Sequence, residues 1–437
     1  MSTNATTSAE IKSYLTRLFP IARSITGEGN RETLAILQEI CGLEIKKFAT
    51  GSDVYDWRIP EEWVVREAWI ADSQGNKIVD FSLNALHLVS HSVAVDKSME
   101  WKELEGHVYR HESLPEAIPH RTTYYNKDWG FCVTGEQYET LASHSGKLQV
   151  LIDADHLEGG MDYGELLIPG SSDRELLISS YICHPYMAND SLSGFLTAAL
   201  LARYVAQLPS RHWNYRFIFV PETVGAIAYL AHHEEIMQRI RAGLVITTAG
   251  GPGKFGLKKS WDDRHWINSL IEESLTELTE DFHLYPFNIR GSDERQYSSP
   301  GFRINTATVS KDRYHQYPEY HTSLDNLDFV TSDQLMETIG VYVDIINRIE
   351  NLRFYRNREP YGEPMLSKHG LYSKVGGDNE KSPTDGEIPF SELILWLLYY
   401  SDGNTPLSQI AKNLSLEEIE LSQPLQVLLD SGLLVKE

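Results

Sequence analysis

Segments with the composition of buried strands alternate with segments of helical periodicity from residue 122 to residue 350. The strands are predicted at 175–183, 215–220, 243–248 and 305–310, and the helices at 193–208, 224–240 and 332–349. The spacing of Thr331 and Gln334 predicts a capping box at the start of the last helix. Strands that alternate with helices in this way predict an α/β fold, with a mostly parallel sheet that is covered by helices on both faces.

The rest of the chain differs from this pattern in composition. Residues 1–51 are predicted to be helical and to complete the α/β domain together with 120–360. Residues 52–119 are rich in strand formers and include a hairpin signal around Ser73–Asn76, which predicts a β-rich inserted domain. After a linker with prolines and adjacent glycines, residues 380–437 have three short amphipathic helices and a terminal strand, a pattern typical of a winged-helix module.

The net charge of the chain restricts the partners that it can bind, and its cysteine content indicates the compartment in which it functions. The chain has 62 acidic against 39 basic residues and a formal charge of −23, which disfavours binding to nucleic acid or to an anionic membrane. Three widely spaced cysteines do not make a disulfide framework and suit a reducing compartment. The first residues lack the pattern of a secretion signal, and the longest apolar stretch, 194–206, is interrupted by Arg203. We therefore expect a cytoplasmic protein.

Four polar residues fall in the connections that follow predicted strands. His184 follows the first strand, Asp190 precedes the next helix, Glu222 follows the second strand, and His321 lies before the last helix. In open α/β sheets ligands bind beyond the carboxyl ends of the strands, so these side chains are expected at one edge of the sheet. Imidazole and carboxylate groups are common zinc ligands, and a further carboxylate can serve as general base. Taken singly, each histidine could be structural, Asp190 could cap a helix and Glu222 could be solvated.

Several motifs resemble those of co-catalytic zinc aminopeptidases of the bacterial leucyl aminopeptidase type. SYICHPYMANDSLSG at 180–194 is similar to their first metal motif, and FIFVPETVGAIAYL at 217–230 is similar to the segment that carries their catalytic glutamate. GSDERQYSSPGF at 291–302 resembles their Ser-Asp segment, and YHTSLDNLD at 320–328 resembles their last motif, whose histidine binds metal. The resemblance implies a zinc exopeptidase-like fold for the α/β domain.

Nearly the whole chain also resembles a bacterial family of aminopeptidase-like proteins with an inserted β domain and a C-terminal winged helix. The segments that carry this resemblance are RSITGEGNRETL at 23–34, IPHRTTYY at 118–125, WGFC at 129–132 and PETVGAIAYL at 221–230. The family is associated with polysaccharide assembly, which implies an alternative role as a zinc-stabilised binding or regulatory protein.

The sequence departs from the aminopeptidase pattern at two positions where a carboxylate ligand is expected. Thr223 stands in place of the second glutamate, and Thr247 or Thr248 in place of an aspartate. The resemblance therefore implies about one zinc ion per chain, held by three ligands with one open position. The implied ligands are His184, Asp190 and His321.

The resemblance further implies hydrolysis of an amide bond next to a free amine, in a peptide or another small amide substrate. Glu222 would be the base, and Asp293 would hold the substrate's ammonium group. The loop of Asp293, Glu294 and Arg295 could contact a charged end of the substrate or could simply be solvated. A catalytically silent zinc protein, and an amidase or cyclase that acts on a non-peptide substrate, remain alternatives.

The C-terminal module is acidic, which disfavours sequence-specific binding to DNA. Residues 388–437 contain seven acids against two lysines: Glu392, Asp402, Glu417, Glu418, Glu420, Asp430 and Glu437 against Lys412 and Lys436. Contacts to phosphates require lysines and arginines. We therefore expect the module to contact protein or to pack within the chain.

Overall fold

A computed structural model of the protein describes residues 6–123, 125–371 and 388–437. The strands are β1 Glu44–Ala49, β2 Asp53–Val54, β3 Trp57–Arg58, β4 Glu62–Ala71, β5 Lys77–Asp80, β6 Val95–Glu100, β7 Val108–Tyr109, β8 Phe131–Cys132, β9 Lys147–Leu157, β10 Gly160–Ile168, β11 Glu175–Tyr181, β12 Asn214–Val220, β13 Ala242–Val245, β14 Gly256–Lys258, β15 His283–Tyr285, β16 Thr306–Ser310, β17 Phe354–Asn357, β18 Asp402–Pro406 and β19 Leu434–Lys436. The helices are α1 Ser8–Leu18, α2 Glu28–Cys41, α3 Trp101–Leu104, α4 Gly135–Ala142, α5 Gly194–Gln207, α6 Val224–His232, α7 Glu234–Met237, α8 Trp266–Leu278, α9 Glu294–Tyr297, α10 Ser332–Glu350, α11 Phe390–Tyr400, α12 Leu407–Asn413 and α13 Ser422–Asp430.

The main sheet has eight strands in the order β1-β10-β12-β11-β13-β16-β14-β15. The central strands β12, β11, β13 and β16 run parallel, as the alternation of strands and helices predicts. The outer strands make the sheet mixed, because β1, β10 and β14 pair with their inner neighbours in the antiparallel sense. The parallel centre matters for function, since its strands all end at the same edge of the sheet.

Helices cover both faces of this sheet. Helix α6 packs with one set of strand residues, which includes Leu177, Ile218 and Val220. Helix α5 contacts the same strands β11 and β12 but shares no residue with that cluster, so it lies on the other face. Burial on both sides explains why β11 and β12 read as continuous apolar runs. The predicted α/β fold is confirmed.

Local details differ from the predicted element bounds. The first central strand ends at Tyr181 and not at 183, which leaves His184 in a loop. The helix predicted at 224–240 is broken at His233 into α6 and α7. The last helix has the expected capping box: the amide nitrogen of Gln334 donates to Thr331 Oγ1, and the amide of Thr331 donates to Gln334 Oε1.

The inserted region forms its own four-stranded antiparallel sheet in the order β5-β4-β9-β6. The hairpin of β4 and β5 turns where the sequence predicts it, after Ala71 and before Lys77. Strand β9, Lys147–Leu157, pairs with both β4 and β6. The sheet thus takes a strand from beyond residue 119, the predicted end of the insertion, because β9 supplies the long central partner that β4 needs.

The described residues form two compact units. One runs to Asp263 and includes Ile271–Asp344, and the other contains Arg264–Leu270 and Ile345–Glu437. In the second unit β17 pairs with β18 and β19, and α11, α12 and α13 pack around a core that includes Leu397 and Leu428. Because β17 is the middle strand, this unit begins before residue 360, the predicted end of the α/β domain; its predicted start at residue 380 lies outside the described residues.

None of the described helices combines the length and the apolar composition that a membrane span requires.

Candidate metal centre

Three histidines meet at the edge where the central strands end. His184 follows β11, His321 follows β16, and His120 comes from the segment between β7 and β8. Their ring centroids are 5.3 to 5.5 Å apart in each pair. One ring nitrogen from each lies within 4.8 Å of the others. Three imidazoles that converge on one point form a donor set suited to a transition metal such as zinc.

Asp190 adds an oxygen donor to this cluster. Its Oδ2 lies 2.9 Å from Nε2 of His321. The contact is not aligned as a hydrogen bond, since Nε2 of His321 is buried without a hydrogen-bond partner among the described residues. A buried nitrogen and a carboxylate oxygen that are close but do not bond to each other fit two ligands of one metal ion, so the residues present fit a metal.

Neighbouring side chains fix the position of Asp190. The Tyr181 hydroxyl donates to Asp190 Oδ1. The Asp325 carboxylate accepts hydrogen bonds from the amide nitrogens of Asn189 at 2.5 Å and Asp190 at 3.0 Å. Burial alone would raise the pKa of Asp190, but His184, His321 and Tyr181 together hold that pKa well below its usual range. Asp190 therefore remains an ionised donor at neutral pH.

Burial keeps two of the histidines neutral. It lowers the pKa of His184 to about 4, against the attraction of Asp190. It also lowers the pKa of His120 well below its ordinary value, and the neighbouring His321 and His184 add to this effect. A neutral imidazole offers a lone pair to a metal, whereas imidazolium does not.

His120 reaches the cluster through backbone pairing between two distant segments. The His120 amide donates to the His321 carbonyl at 2.8 Å, and the Ser323 amide donates to the Ile118 carbonyl at 2.9 Å. Pro119 and Thr322 form a β-bridge between these contacts. Sequence reasoning missed His120 because it follows no strand of the main sheet; its one signal was the IPHRTTYY segment.

Glu222 follows β12 and lies beside the histidines. Its Oε2 is 3.9 Å from Nε2 of His184. Burial raises the pKa of Glu222 well above its ordinary value, and the nearby Asp293 and Asp190 raise it further. The next residue, Thr223, has a φ of 64°, a conformation that is costly for a β-branched side chain. Its amide donates to Asp293 Oδ1 at 2.8 Å, which holds the turn into α6.

Asp293, the residue expected to contact the substrate, is buried beneath the residues that form the surface of the site. Its side chain is 1% exposed, its Oδ1 accepts from Thr223, and its Oδ2 has no hydrogen-bond partner among the described residues. Burial raises its pKa to about 7. The structure brings Asp293 next to Glu222 but does not place it where a substrate is within reach.

The two threonines at the expected carboxylate positions make hydrogen bonds to the protein. Thr247 Oγ1 is 2.6 Å from the Tyr181 hydroxyl, which itself donates to Asp190, so Thr247 is the donor in this pair. Thr223 Oγ1 accepts from a guanidinium nitrogen of Arg295 at 3.3 Å. At these two positions the structure thus has hydroxyls that bond within the protein, while the hydroxyl of Thr248, the alternative to Thr247, is buried without a partner among the described residues.

A cavity of about 740 Å³ opens over this cluster. The histidines and Glu222 form part of its lining, together with Trp57, Tyr125, Arg121 and Arg295. Its volume falls in the range of small-molecule binding sites. The three histidines and the candidate base are therefore accessible to a substrate of modest size.

Comparison with known proteins places the chain in a family. The model of a domain of unknown function, DUF4910, matches residues 12–352, which is most of the sequence. The chain belongs to the DUF4910 family. A winged helix-turn-helix model matches residues 353–436, in agreement with the second structural unit.

Relatives of this DUF4910 protein include one from Clostridium acetobutylicum whose name combines polysaccharide biosynthesis with an aminopeptidase-like domain. It is 36% identical over 412 residues, which cover 94% of this chain and 92% of the relative. A crystal structure of a Clostridium acetobutylicum protein designated as a peptidase is 33% identical, with a TM-score of 0.80, and the match covers 98% of this chain and 96% of the other.

A zinc aminopeptidase from Bacillus subtilis has a related fold. The match has a TM-score of 0.57 at 12% identity, and it covers 80% of this chain and 96% of that enzyme. At this identity the likeness concerns the fold alone. The predicted membership of an aminopeptidase-like family with a C-terminal winged helix is confirmed.

Proposed function

We propose that this DUF4910 protein is a zinc-dependent hydrolase of the aminopeptidase type, which cleaves an amide bond next to a free amine. The observation that carries the proposal is the placement of Glu222 3.9 Å from His184 Nε2, at the edge of a converging cluster of metal donors within an open cavity. The aminopeptidase-like fold of the relatives supports the same class of reaction.

In this proposal His184, Asp190 and His321 hold one zinc ion. The separation of 2.9 Å between Asp190 Oδ2 and His321 Nε2 supports their pairing as ligands. The hydroxyls of Thr223 and Thr247 at the two expected carboxylate positions support one ion and not two. A site with three protein ligands keeps a position open for water or substrate, as in catalytic zinc sites.

A bound zinc ion would supply the Lewis acidity that polarises an amide carbonyl and acidifies water. Glu222 accepts a proton from the attacking water and delivers it to the nitrogen of the leaving amine. Burial near two other carboxyl groups moves the pKa of Glu222 upward, which makes it a stronger base than a solvated glutamate. Trp57 and Tyr125 line the same cavity and add aromatic surface to it.

The proposal is tested by turnover with and without metal. The protein is stripped with a chelator, reloaded with one equivalent of zinc, and assayed against aminoacyl amides, dipeptides and N-acylated amino sugars. We expect hydrolysis of at least one amide with a free amine only after zinc is restored. The amino sugars are included because the name of the Clostridium relative mentions polysaccharide biosynthesis. Their hydrolysis in place of the peptides would favour a non-peptide amidase.

A second candidate function follows from the position of His120. If His120 joined His184, Asp190 and His321 as a fourth ligand, the zinc site would be closed, as in structural zinc sites. The chain would then be a silent zinc-binding protein. Such a protein binds one equivalent of zinc, hydrolyses none of the panel, and loses stability when zinc is removed. His120→Ala separates the two, because zinc affinity falls steeply only if His120 is a ligand.

A further inference from the structure

Two arginines line the same cavity as the candidate metal ligands. Arg295 lies in α9, within the motif that begins at Gly291, and Arg121 directly follows His120. Arg121 stacks on the ring of Tyr109, with its guanidinium carbon 4.1 Å from the ring centroid. This contact holds the guanidinium without neutralising its charge.

The guanidinium group of Arg295 makes few hydrogen bonds within the protein. Its one hydrogen bond among the described residues is the contact of 3.3 Å with Thr223 Oγ1. Its Nε is buried and has no partner in the part of the chain that the structure describes. No ion pair joins Arg295 or Arg121 to a carboxylate among the described residues, although the charge of Arg295 acts on the neighbouring Glu222 and Asp293 and opposes the rise in pKa that burial causes in each. A guanidinium carries five donors, so most of those on Arg295 are left for a ligand.

Two of the acids near Arg295, Asp293 and Glu294, are buried and bonded within the protein. Glu294 is buried and pairs with Lys258, and it also accepts from the Tyr314 hydroxyl at 2.9 Å. Asp293 is buried behind Thr223. Among the described residues that line the cavity, Glu222 is the one carboxylate. The described lining therefore holds two guanidinium groups against one carboxylate.

We propose that the cavity selects amide substrates that carry an anionic group, a carboxylate in the first instance, and that Arg295 binds this group. The inference rests on the proposed function and names its substrate class. If the free amine lies on the acyl side of the scissile amide, the anion belongs to the amine that leaves. The substrate class is then a dipeptide or a similar amide of an amino acid with a free carboxylate.

Guanidinium and carboxylate groups match in geometry and charge, and such charge-assisted hydrogen bonds are among the strongest in proteins. Arg121 lines the same cavity as Arg295 but is exposed and held on Tyr109, so it adds positive charge and less directional bonding. The amine of the substrate, on the other side of the scissile amide, has Glu222 as its one acidic neighbour in the described lining.

Binding is measured by calorimetry with two uncleavable dipeptide analogues, in which a methylene-amine replaces the scissile amide. One analogue ends in a carboxylate and the other in a carboxamide. We expect the zinc-loaded protein to bind the carboxylate analogue at least about 10-fold more tightly than the carboxamide analogue. In Arg295→Gln this ratio should fall toward one, and Arg295→Lys should keep part of it.

Arg17→Gln is the matched control, because Arg17 is an exposed arginine that pairs with Glu39 and does not line the cavity. The Arg17→Gln variant should keep the full ratio of affinities for the carboxylate and carboxamide analogues. The titration is repeated on chelator-treated protein, since a carboxylate can also bind zinc directly. A preference that survives in Arg295→Gln, or that vanishes when zinc is removed, overturns the assignment to Arg295. An analogue that ends in phosphonate shows whether a phosphate serves as the anion instead.

Turnover separates this inference from the proposed function. The preference for a carboxylate is measured in turnover as the kcat/KM for a dipeptide divided by the kcat/KM for its C-terminal amide. Hydrolysis of both at equal efficiency would refute the anionic subsite and leave the proposed function intact. A strong, Arg295-dependent binding preference without any turnover would refute the proposed function and leave the anionic subsite intact.

Discussion

The hydroxyl of Tyr181 connects the candidate metal ligand Asp190 to the sheet, and its removal is the sharpest structural test of the site. Tyr181 is 3% exposed at the end of β11. It donates to Asp190 Oδ1 and accepts from Thr247 Oγ1 at 2.6 Å. Tyr181→Phe removes one oxygen atom and leaves the ring in place, so packing should change little.

The expected loss can be worked out from these two contacts. A hydrogen bond to a charged group contributes about 1.5–3 kcal/mol to stability, and Asp190 is the charged partner. The Thr247 hydroxyl also loses its acceptor. The free energy of unfolding of metal-free Tyr181→Phe should therefore fall by about 1.5–3 kcal/mol at neutral pH. Because hydrogen-bonded partners of metal ligands support affinity, zinc binding should weaken by about 10–100-fold.

Stability is measured by urea denaturation in the presence of a chelator, and zinc affinity by competition with a chromophoric chelator. Tyr361→Phe is the matched control, because Tyr361 is fully exposed, and its change should stay within about 0.5 kcal/mol. If Tyr181→Phe matches the control in both stability and zinc affinity, Tyr181 does not support Asp190 and the assignment of Asp190 as a ligand loses its structural basis.

Three further outcomes are expected. Elemental analysis of dialysed protein should find about one zinc ion per chain, with contents well below one in His184→Ala and His321→Ala; two equivalents would contradict the role given to Thr223 and Thr247. His120→Ala should lower zinc affinity only modestly and should reduce kcat more than zinc content, whereas complete loss of zinc would make His120 a ligand. Electrophoretic mobility shift at low salt should show no binding of the intact protein to duplex DNA, since acids outnumber bases by 62 to 39, and a salt-sensitive complex would contradict the charge argument.

Much of the site follows from local sequence, because strand and helix periodicity locate the edge of the sheet. His184, Asp190, Glu222 and His321 lie in the connections that follow central strands, and the structure gathers them at one edge. The capping box of the last helix and the first hairpin of the insertion are equally local features and were predictable.

The remaining features depend on contacts between distant segments. His120 enters the site because its backbone pairs with His321, which lies 201 positions later in the sequence. Strand β9 completes the inserted sheet by pairing with β4 although β5, β6, α3, β7, β8 and α4 lie between them in the sequence, so the extent of the insertion could not be predicted from composition. Asp293 is buried and accepts a hydrogen bond from the Thr223 amide, a contact between two motifs that the spacing within either motif does not reveal.

The central claim is that Glu222 acts as the base of a metal-dependent hydrolase, and Glu222→Gln tests it most directly. The amide side chain keeps the size of Glu222 but cannot accept the proton of water. For the substrate that zinc-loaded protein cleaves best, turnover should fall by roughly 100-fold or more, while zinc content and the free energy of unfolding stay close to those of the unmutated protein. Turnover that is unchanged, with zinc still bound, would remove Glu222 from the mechanism and contradict the account.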